Sequence, residues 1–233
     1  MANILHIETA TQVCSVALSA NGILLQLLES CEKNSHSATV TNFIDRVMKS
    51  AGMAFKELDA VAVSKGPGSY TGLRIGVSTA KGICYAVDKP LIAVGTLLSM
   101  AAGVREGLES RGFPTLLCPM IDARRMEVYC ALYDAEGHEL REVMAEIIDE
   151  NSFGSELERD RIIFGGEGAE KCREVLGSRP NAAFLDGFKA SARYMQGLAA
   201  GKFEKQEFGN LAYFEPFYLK DFVAGKPRVK GLH

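Results

Sequence analysis

The sequence predicts an α/β protein made of two similar lobes, each a mixed β-sheet covered by helices. One observation is that the order strand-strand-strand-helix-strand-helix-strand-helix occurs twice along the chain. A second is that a run of hairpins followed by alternating helices and strands is typical of mixed sheets with helical layers. A third is the composition, since 233 residues with 47% apolar and 24% charged residues are enough for two ordinary cores.

The first half begins with a strong hairpin signal, Asn21-Gly22, between its second and third predicted strands. The following helix is predicted from apolar residues at helical spacing between Val40 and Ala51. Its strands are expected at 3–9, 13–20, 23–29, 59–65 and 91–95, and its helices at 36–51, 71–87 and 96–109.

The second half repeats this order, with a turn at Glu136-Gly137. Its strands are expected at 115–122, 126–134, 138–148, 161–165 and 183–186, and its helices at 150–158, 168–176 and 190–201. The pattern divides the chain into a first lobe at 1–105, joined by a returning C-terminal helix at about 190–220, and a smaller lobe at 106–190. Such a duplication resembles the actin, Hsp70 and sugar-kinase (ASKHA) architecture, in which two ribonuclease-H-like halves face each other across a cleft.

Charge and cysteine usage limit the classes of protein. The formal net charge of −3 is unlike a nucleic-acid-binding surface, so another chain would supply most phosphate contacts if RNA is involved. Six cysteines without a C-x-x-C pair predict reduced thiols. The sequence shows neither a signal peptide nor about 20 consecutive apolar residues, so we expect a soluble, cytoplasmic protein that does not bind membranes.

A glycine-rich motif, GPGSYTGLRIG at 66–76, follows the fourth predicted strand and opens the second helix. Together with IETATQVCSVAL at 7–18, AKGICYAVDKPLIAVGTL at 80–97, IDARRMEVYCALY at 121–133 and FEPFYLKD at 214–221, it resembles the TsaB (YeaZ-type) family. The resemblance implies a non-catalytic scaffold that pairs with a homologous catalytic subunit, TsaD, in threonylcarbamoyl transfer to a tRNA adenosine next to the anticodon. It also implies that a small ATPase, TsaE, joins them, that tRNA is reached indirectly, and that the chain forms a homodimer when alone.

The second helix has features of a protein–protein surface. Arg74 and Lys81 are its only charged residues, and its apolar residues lie on more faces than one core can cover. Gly72, Gly76 and Ala80 recur every four residues, which permits close approach by another helix, so we expect Gly76→Lys to block pairing. A helix buried within its own lobe is the alternative. The candidate partner-binding residues are Val40, Phe43, Val47, Gly72, Ile75, Gly76, Thr79 and Ile83.

A nucleotide site is a weaker hypothesis. The architecture places an acid at the end of the first strand of each half, here Glu8 and Asp122, but the turn after Glu8 lacks glycine and the turn after Asp122 carries two arginines. The GPGS loop suits a phosphate, or a tight turn capped by Ser69 or Thr71. We expect no required cofactor, with ATP or ADP bound only weakly or at a partner interface. The candidates are Glu8, Thr9, Asp122, Arg124, Gly165 and Gly166.

Catalytic residues are not predicted. The catalytic relatives carry H-x-x-x-H where this chain has His36 followed by Val40, so one imidazole remains and no metal site is expected. His6 is expected to be a core or strand residue. Two alternatives stay open, a small-metabolite phosphotransferase with Glu8 and Asp122 around magnesium, and a metallopeptidase.

Overall fold

The computed structural model describes residues 2–32, 36–107 and 115–220 and contains two five-stranded sheets. The first sheet consists of β1 (Asn3–Glu8), β2 (Cys14–Ala20), β3 (Ile23–Ser30), β4 (Ala60–Ser64) and β5 (Leu91–Val94). The second consists of β6 (Thr115–Asp122), β7 (Glu127–Tyr133), β8 (Glu139–Ile147), β9 (Arg161–Gly165) and β10 (Ala182–Leu185). The helices are α1 (His36–Ser50), α2 (Tyr70–Val87), α3 (Thr96–Glu106), α4 (Gly154–Arg159), α5 (Glu167–Leu176) and α6 (Gln196–Glu204), with short 3-10 helices at Phe55–Glu57 and Ala192–Met195.

The two sheets have the same topology. Their strand orders are β3-β2-β1-β4-β5 and β8-β7-β6-β9-β10. In each sheet the central strand pairs antiparallel with the next strand along the chain and parallel with the fourth strand of its lobe. The predicted fold class of two ribonuclease-H-like lobes with mixed sheets is therefore confirmed.

Two helical segments pack on the sheet formed by the other half of the chain. Helices α1 and α2 cover one face of the first sheet, whereas α3 packs on the second sheet through Leu97, Met100 and Val104. The chain returns after β10, and Met195 and Ala199 cover the other face of the first sheet. Since α3 belongs to the second core, the predicted boundary at residue 105 is wrong, and the lobes divide near Gly95.

A C-terminal segment, residues 209–220, runs back over the first lobe, and we call it the strap. It begins where the backbone N–H of Gly209 donates to the carbonyl oxygen of Leu91, at 2.8 Å. The ammonium of Lys81 on α2 then donates to the carbonyl oxygens of Ala212 and Phe214. The predicted returning helix is thus shorter than expected, because α6 ends at Glu204 and the strap has no helical structure. None of the described helices is long and apolar enough to cross a lipid bilayer.

Candidate functional site

The GPGS loop (66–69) packs directly on the turn that follows β1. The backbone N–H of Ser69 donates to the carbonyl oxygen of Ala10 at 2.6 Å, and a Cβ on Gly68 would lie 2.3 Å from that same oxygen. The Ser69 hydroxyl caps α2 by accepting from the N–H of Gly72 at 3.2 Å. The loop therefore acts as a tight, capped turn against the first sheet, with Ser69 rather than Thr71 as the cap.

Glu8 ends β1 and is completely buried beneath this loop. Its Oε1 accepts hydrogen bonds from the N–H of Ala10 at 2.6 Å and the hydroxyl of Ser64 at 2.9 Å. Its Oε2 has no hydrogen-bond partner among the described residues. Burial raises the pKa of Glu8 to about 7, which favours the neutral acid. The carboxyl is enclosed by protein and its Oε1 is already hydrogen-bonded, which leaves little access for a hydrated metal ion such as magnesium.

Thr9 joins β1 to α2. Its hydroxyl donates to the carbonyl oxygen of Gly72 at 2.8 Å. A Cβ on Gly72 would lie 2.0 Å from the carbonyl oxygen of Thr9, and one on Gly76 would lie 2.3 Å from its Oγ1. The prediction that Gly72 and Gly76 contact a partner is therefore wrong for this fold, because both glycines face their own sheet. Gly76→Lys would disrupt the lobe itself and cannot test pairing.

The residues on the outward face of α1 and α2 differ from the predicted partner-binding residues. Val40 and Val47 are fully buried in their own core and cannot reach a partner, which corrects that prediction too. The other four candidates, Phe43, Ile75, Thr79 and Ile83, are half-buried along α1 and α2. Beside them a second row of small residues at four-residue spacing, Ser78, Gly82 and Ala86, is exposed. We call these seven residues the α1–α2 surface.

The second lobe holds its strand-ending acid in another way. Asp122 lies at the end of β6 and is ion-paired with Lys171 of α5. The same ammonium donates to the carbonyl oxygens of Arg125 at 2.7 Å and Glu127 at 2.6 Å. The carboxylate that the architecture offers to a metal is thus bound by a lysine, which the sequence analysis did not single out.

Two consecutive arginines form the tip of the β6–β7 turn. Arg124 and Arg125 have φ angles of 77° and 51°, in the left-handed region that costs a non-glycine residue about 1 kcal/mol. Both are exposed. Within the described parts of the chain, neither guanidinium has a hydrogen-bond or ion-pair partner.

The glycines before α5 are packed against protein. A Cβ on Gly165 would lie 2.6 Å from the Val104 side chain, and one on Gly166 would lie 2.3 Å from the carbonyl oxygen of Met120. Both glycines are buried, as are Glu8 and Thr9. The surroundings of these four residues are filled by the chain itself, which argues against direct nucleotide contact by them. Of the six nucleotide candidates, only Asp122 and Arg124 are exposed.

The remaining histidine predictions concern His6 and His36. His36 Nε2 lies 3.0 Å from the carbonyl oxygen of Thr11, and the described residues contain no cluster of three potential metal ligands. His6 is buried with Nε2 2.7 Å from the hydroxyl of Ser19, and burial lowers its pKa to about 3. His6 is therefore a neutral strand residue.

Two contacts join the first lobe and the strap to the second lobe. The carboxylate of Glu167 on α5 accepts from the backbone N–H of Gln12, while its burial raises its pKa. The strap adds an ion pair between Lys220 and Glu127 of β7. The lobes are thus joined by one hydrogen bond from the main chain to a carboxylate and by one surface ion pair.

The closing PFYLK motif (216–220) has a clear structural role. The N–H of Phe217 donates to the carbonyl oxygen of Lys65 at 2.6 Å, next to the GPGS loop. The Tyr218 ring contacts that of Tyr70 with centroids 4.8 Å apart, and the Arg74 guanidinium donates to the Tyr218 hydroxyl at 3.3 Å. The motif therefore fixes the strap to the start of α2.

Sequence comparisons with known proteins identify relatives of this chain. Residues 29–224 match the model of the family described as TsaD, tRNA N6-adenosine threonylcarbamoyltransferase. The chain is 31% identical to the tRNA threonylcarbamoyladenosine biosynthesis protein TsaB of Escherichia coli K12, over 96% of each chain. It is 26% identical to a tRNA N6-adenosine threonylcarbamoyltransferase of Phocaeicola vulgatus, over 78% of this chain and 55% of that one.

A solved structure shows the same fold. A Pseudomonas aeruginosa protein described as uncharacterized with similarity to peptidase YEAZ superposes with a TM-score of 0.81 at 25% identity, over 94% of this chain and all of that one. The full-length match to curated relatives and the shared two-lobe fold agree with the motif at 66–76. The chain belongs to the TsaB (YeaZ-type) family.

Proposed function

We propose that this chain is a non-catalytic subunit of tRNA threonylcarbamoyladenosine biosynthesis that acts by pairing with a catalytic TsaD-type relative. Two curated relatives are named as biosynthesis proteins of that pathway. This chain covers 96% and 95% of their lengths. The model of the catalytic family also matches residues 29–224, so the proposed partner is a homologue over most of both lobes. The threonylcarbamoyl transfer itself belongs to the partner, and this chain acts in the cytoplasm, where tRNA is modified.

The observation that carries the pairing proposal is the α1–α2 surface. Ile75, Thr79 and Ile83 form one row along α2, and the small residues Ser78, Gly82 and Ala86 form the next. A groove of small residues beside an apolar row accepts the side-chain ridges of another helix. A homologous partner would present the same pair of helices, and the two pairs would pack as a four-helix unit. A second copy of this chain would use the same surface when the partner is absent.

The arrangement of the strand-ending acids supports a scaffold rather than an enzyme. Glu8 is buried and favours its neutral form, and Asp122 is ion-paired with Lys171. The phosphotransferase hypothesis requires both carboxylates around magnesium, and the metallopeptidase hypothesis requires a ligand cluster. The scaffold would act by favouring the partner's active conformation, with TsaE joining the pair.

The experiment is light scattering on this chain, alone and mixed with the TsaD-type protein of the same organism. We expect a heterodimer or larger complex for the mixture and a homodimer for the chain alone. Gly82→Lys should abolish the heterodimer, because a Cβ at Gly82 meets nothing within 4 Å in its own lobe and the charge would be buried by the partner. Gly197→Lys is the matched control, since Gly197 is also an open, exposed helix position but lies on α6, across the first sheet.

The outcomes separate the hypotheses. A folded Gly82→Lys variant that pairs normally would remove the α1–α2 surface from the proposal. If the two wild-type proteins do not associate, the scaffold proposal itself fails. Saturable ATP turnover by the isolated chain, lost in Asp122→Ala, would favour the phosphotransferase instead.

A further inference from the structure

The β6–β7 turn carries two arginines that the fold does not need. A hairpin tip with φ positive at two consecutive residues favours Asn, Asp or Gly, yet this tip is Arg124-Arg125 with φ of 77° and 51°. Non-glycine residues with positive φ cluster at functional sites, and Arg124-Arg125 is the one consecutive pair among those of the described residues. The turn's own architecture gives no reason for two long, charged side chains.

The turn is also held rigidly in place. Lys171 donates to the carbonyl oxygens of Arg125 and Glu127, and Asp122 accepts from the N–H of Arg124 at 2.8 Å. The N–H of Glu127 donates to the carbonyl oxygen of Arg124 at 3.2 Å. These bonds fix the backbone on which both guanidinium groups are mounted, which lowers the entropy lost when they bind a ligand.

The acidic side chains near the turn contact other groups, so they do not neutralise the charges of Arg124 and Arg125. Asp122 is ion-paired with Lys171, and Glu127 with Lys220 of the strap. Glu167, the next nearby acid, accepts from the N–H of Gln12, and its burial raises its pKa. Each neighbouring carboxylate thus has its own partner. The turn therefore presents two positive charges, although the whole chain has a net charge of −3.

We infer that Arg124 and Arg125 bind phosphate groups of the tRNA backbone when the chain is assembled with its catalytic partner. Guanidinium groups match phosphate oxygens with two parallel hydrogen bonds, and backbone phosphates position a nucleic acid without reading its sequence. This inference rests on the proposed function, because only a subunit of a tRNA-modifying complex comes near tRNA. It assigns this chain a direct share of the contacts, while the partner supplies most of them.

A nucleotide phosphate is the other source of the same chemistry. The glycines that would let a nucleotide approach, Gly165 and Gly166, are buried against Val104 and Met120. The turn is therefore open to a long backbone passing over it, while the cradle that would hold the rest of a mononucleotide is filled. This contrast favours the polynucleotide.

The test measures tRNA affinity of the assembled complex with an unmodified tRNA transcript over a series of KCl concentrations. The variant Arg124→Gln/Arg125→Gln removes both charges. Glutamine, like arginine, is a non-glycine residue, so the left-handed backbone at the two positions is no easier to adopt. Loss of two phosphate contacts should lower the slope of log affinity against log salt by about 1.4 to 1.8. Affinity at low salt should fall accordingly.

The matched control is Arg159→Gln/Arg161→Gln, which removes the same charge from exposed positions at the far end of the second sheet. Arg161 pairs in register with Thr115 at the start of β6, whereas the arginine turn follows its end. The control should leave the slope unchanged. Light scattering on the same samples reports assembly, so failure of the wild-type proteins to form the complex counts against the proposed function and not against the tRNA contact.

Three results would overturn the inference. The first is an intact complex whose salt slope is the same for Arg124→Gln/Arg125→Gln and wild type. The second is a variant that loses assembly with the catalytic partner, which would assign the arginines to acidic groups of that protein. The third is a variant that loses binding of ADP or ATP while its tRNA slope is unchanged, which would assign them to a nucleotide.

Discussion

The two lobes share one strand order but use the acid at the end of the central strand in opposite ways. Glu8 in the first lobe is enclosed beneath the GPGS loop, where desolvation raises its pKa to about 7. Asp122 in the second lobe lies at the surface and is ion-paired with Lys171. The duplicated topology fixes where the carboxyl lies, and the local packing decides whether it is enclosed in the core or ion-paired at the surface. In both lobes the acid supports a turn.

The largest expected effect concerns the glycines that pack the first lobe. In Gly72→Ala the new Cβ would lie 2.0 Å from the carbonyl oxygen of Thr9, a backbone atom that can move only if α2 leaves β1. We expect the free energy of unfolding to fall by more than about 3 kcal/mol, measured by urea denaturation. In the second lobe Gly168→Ala should cost less, because its Cβ would lie 2.9 Å from the nearest atoms of Ile121 and Met120.

Gly82→Ala is the control for Gly72→Ala on the same helix. Its Cβ meets nothing within 4 Å, so the variant should gain up to about 1 kcal/mol from the higher helix propensity of alanine. If Gly72→Ala were as stable as Gly82→Ala, the close contact between α2 and β1 would be wrong.

The second prediction tests the buried acid, Glu8, by varying the pH. Because the pKa of Glu8 is about 7 in the folded protein against an ordinary value of 4.5, the folded state binds more protons than the unfolded state between these values. Its contribution to stability is therefore present below pH 4.5 and lost as the pH rises through 7. Glu8→Gln cannot ionise, so its stability relative to wild type should increase by up to about 3 kcal/mol between pH 4.5 and 8.

His6 contributes in the opposite direction, since burial lowers its pKa to about 3 and acidification below 6.5 destabilises the fold. That effect is common to wild type and Glu8→Gln, so it cancels in the difference. A flat difference for Glu8→Gln would mean that Glu8 is ionised in the folded protein.

The sequence predicts the topology well because its signals are local. Hairpin residues such as Asn21-Gly22 and the alternation of helices and strands lie within short windows, and they place Glu8 and Asp122 at equivalent strand ends. Contacts between distant residues leave no such signal. Lys171 lies 49 residues after Asp122, and nothing near it in the sequence indicates the ion pair.

The face of α2 that packs on the sheet shows a second limit of prediction from sequence. This helix has small or apolar residues on most faces, so two rows of small residues at four-residue spacing both qualify as a docking groove. Packing on β1 buries the row that contains Gly72 and Gly76 and exposes the row that contains Gly82. Only the position of the sheet decides between them.

The smallest expected effect sharpens the role of Lys171. Lys171→Met keeps the aliphatic stem but removes the ammonium that binds Asp122 and the carbonyl oxygens of Arg125 and Glu127. We expect a loss of about 1 to 2 kcal/mol, because these partly exposed acceptors can bind water instead. Asp122→Asn should lose less, since it retains both carbonyl contacts. Lys56→Met, at an exposed position in the first lobe, should leave the free energy of unfolding unchanged.

A local readout distinguishes loosening of the β6–β7 turn from general destabilisation. Trypsin cleaves after arginine, so Lys171→Met should be cut faster after Arg124 and Arg125 under conditions where Lys56→Met and wild type resist. Equal cleavage rates would mean that the left-handed turn holds without Lys171. In that case the second lobe would fix its acid and its arginines through the hairpin alone, and the contrast with the first lobe, where a loop and a helix enclose Glu8, would become larger.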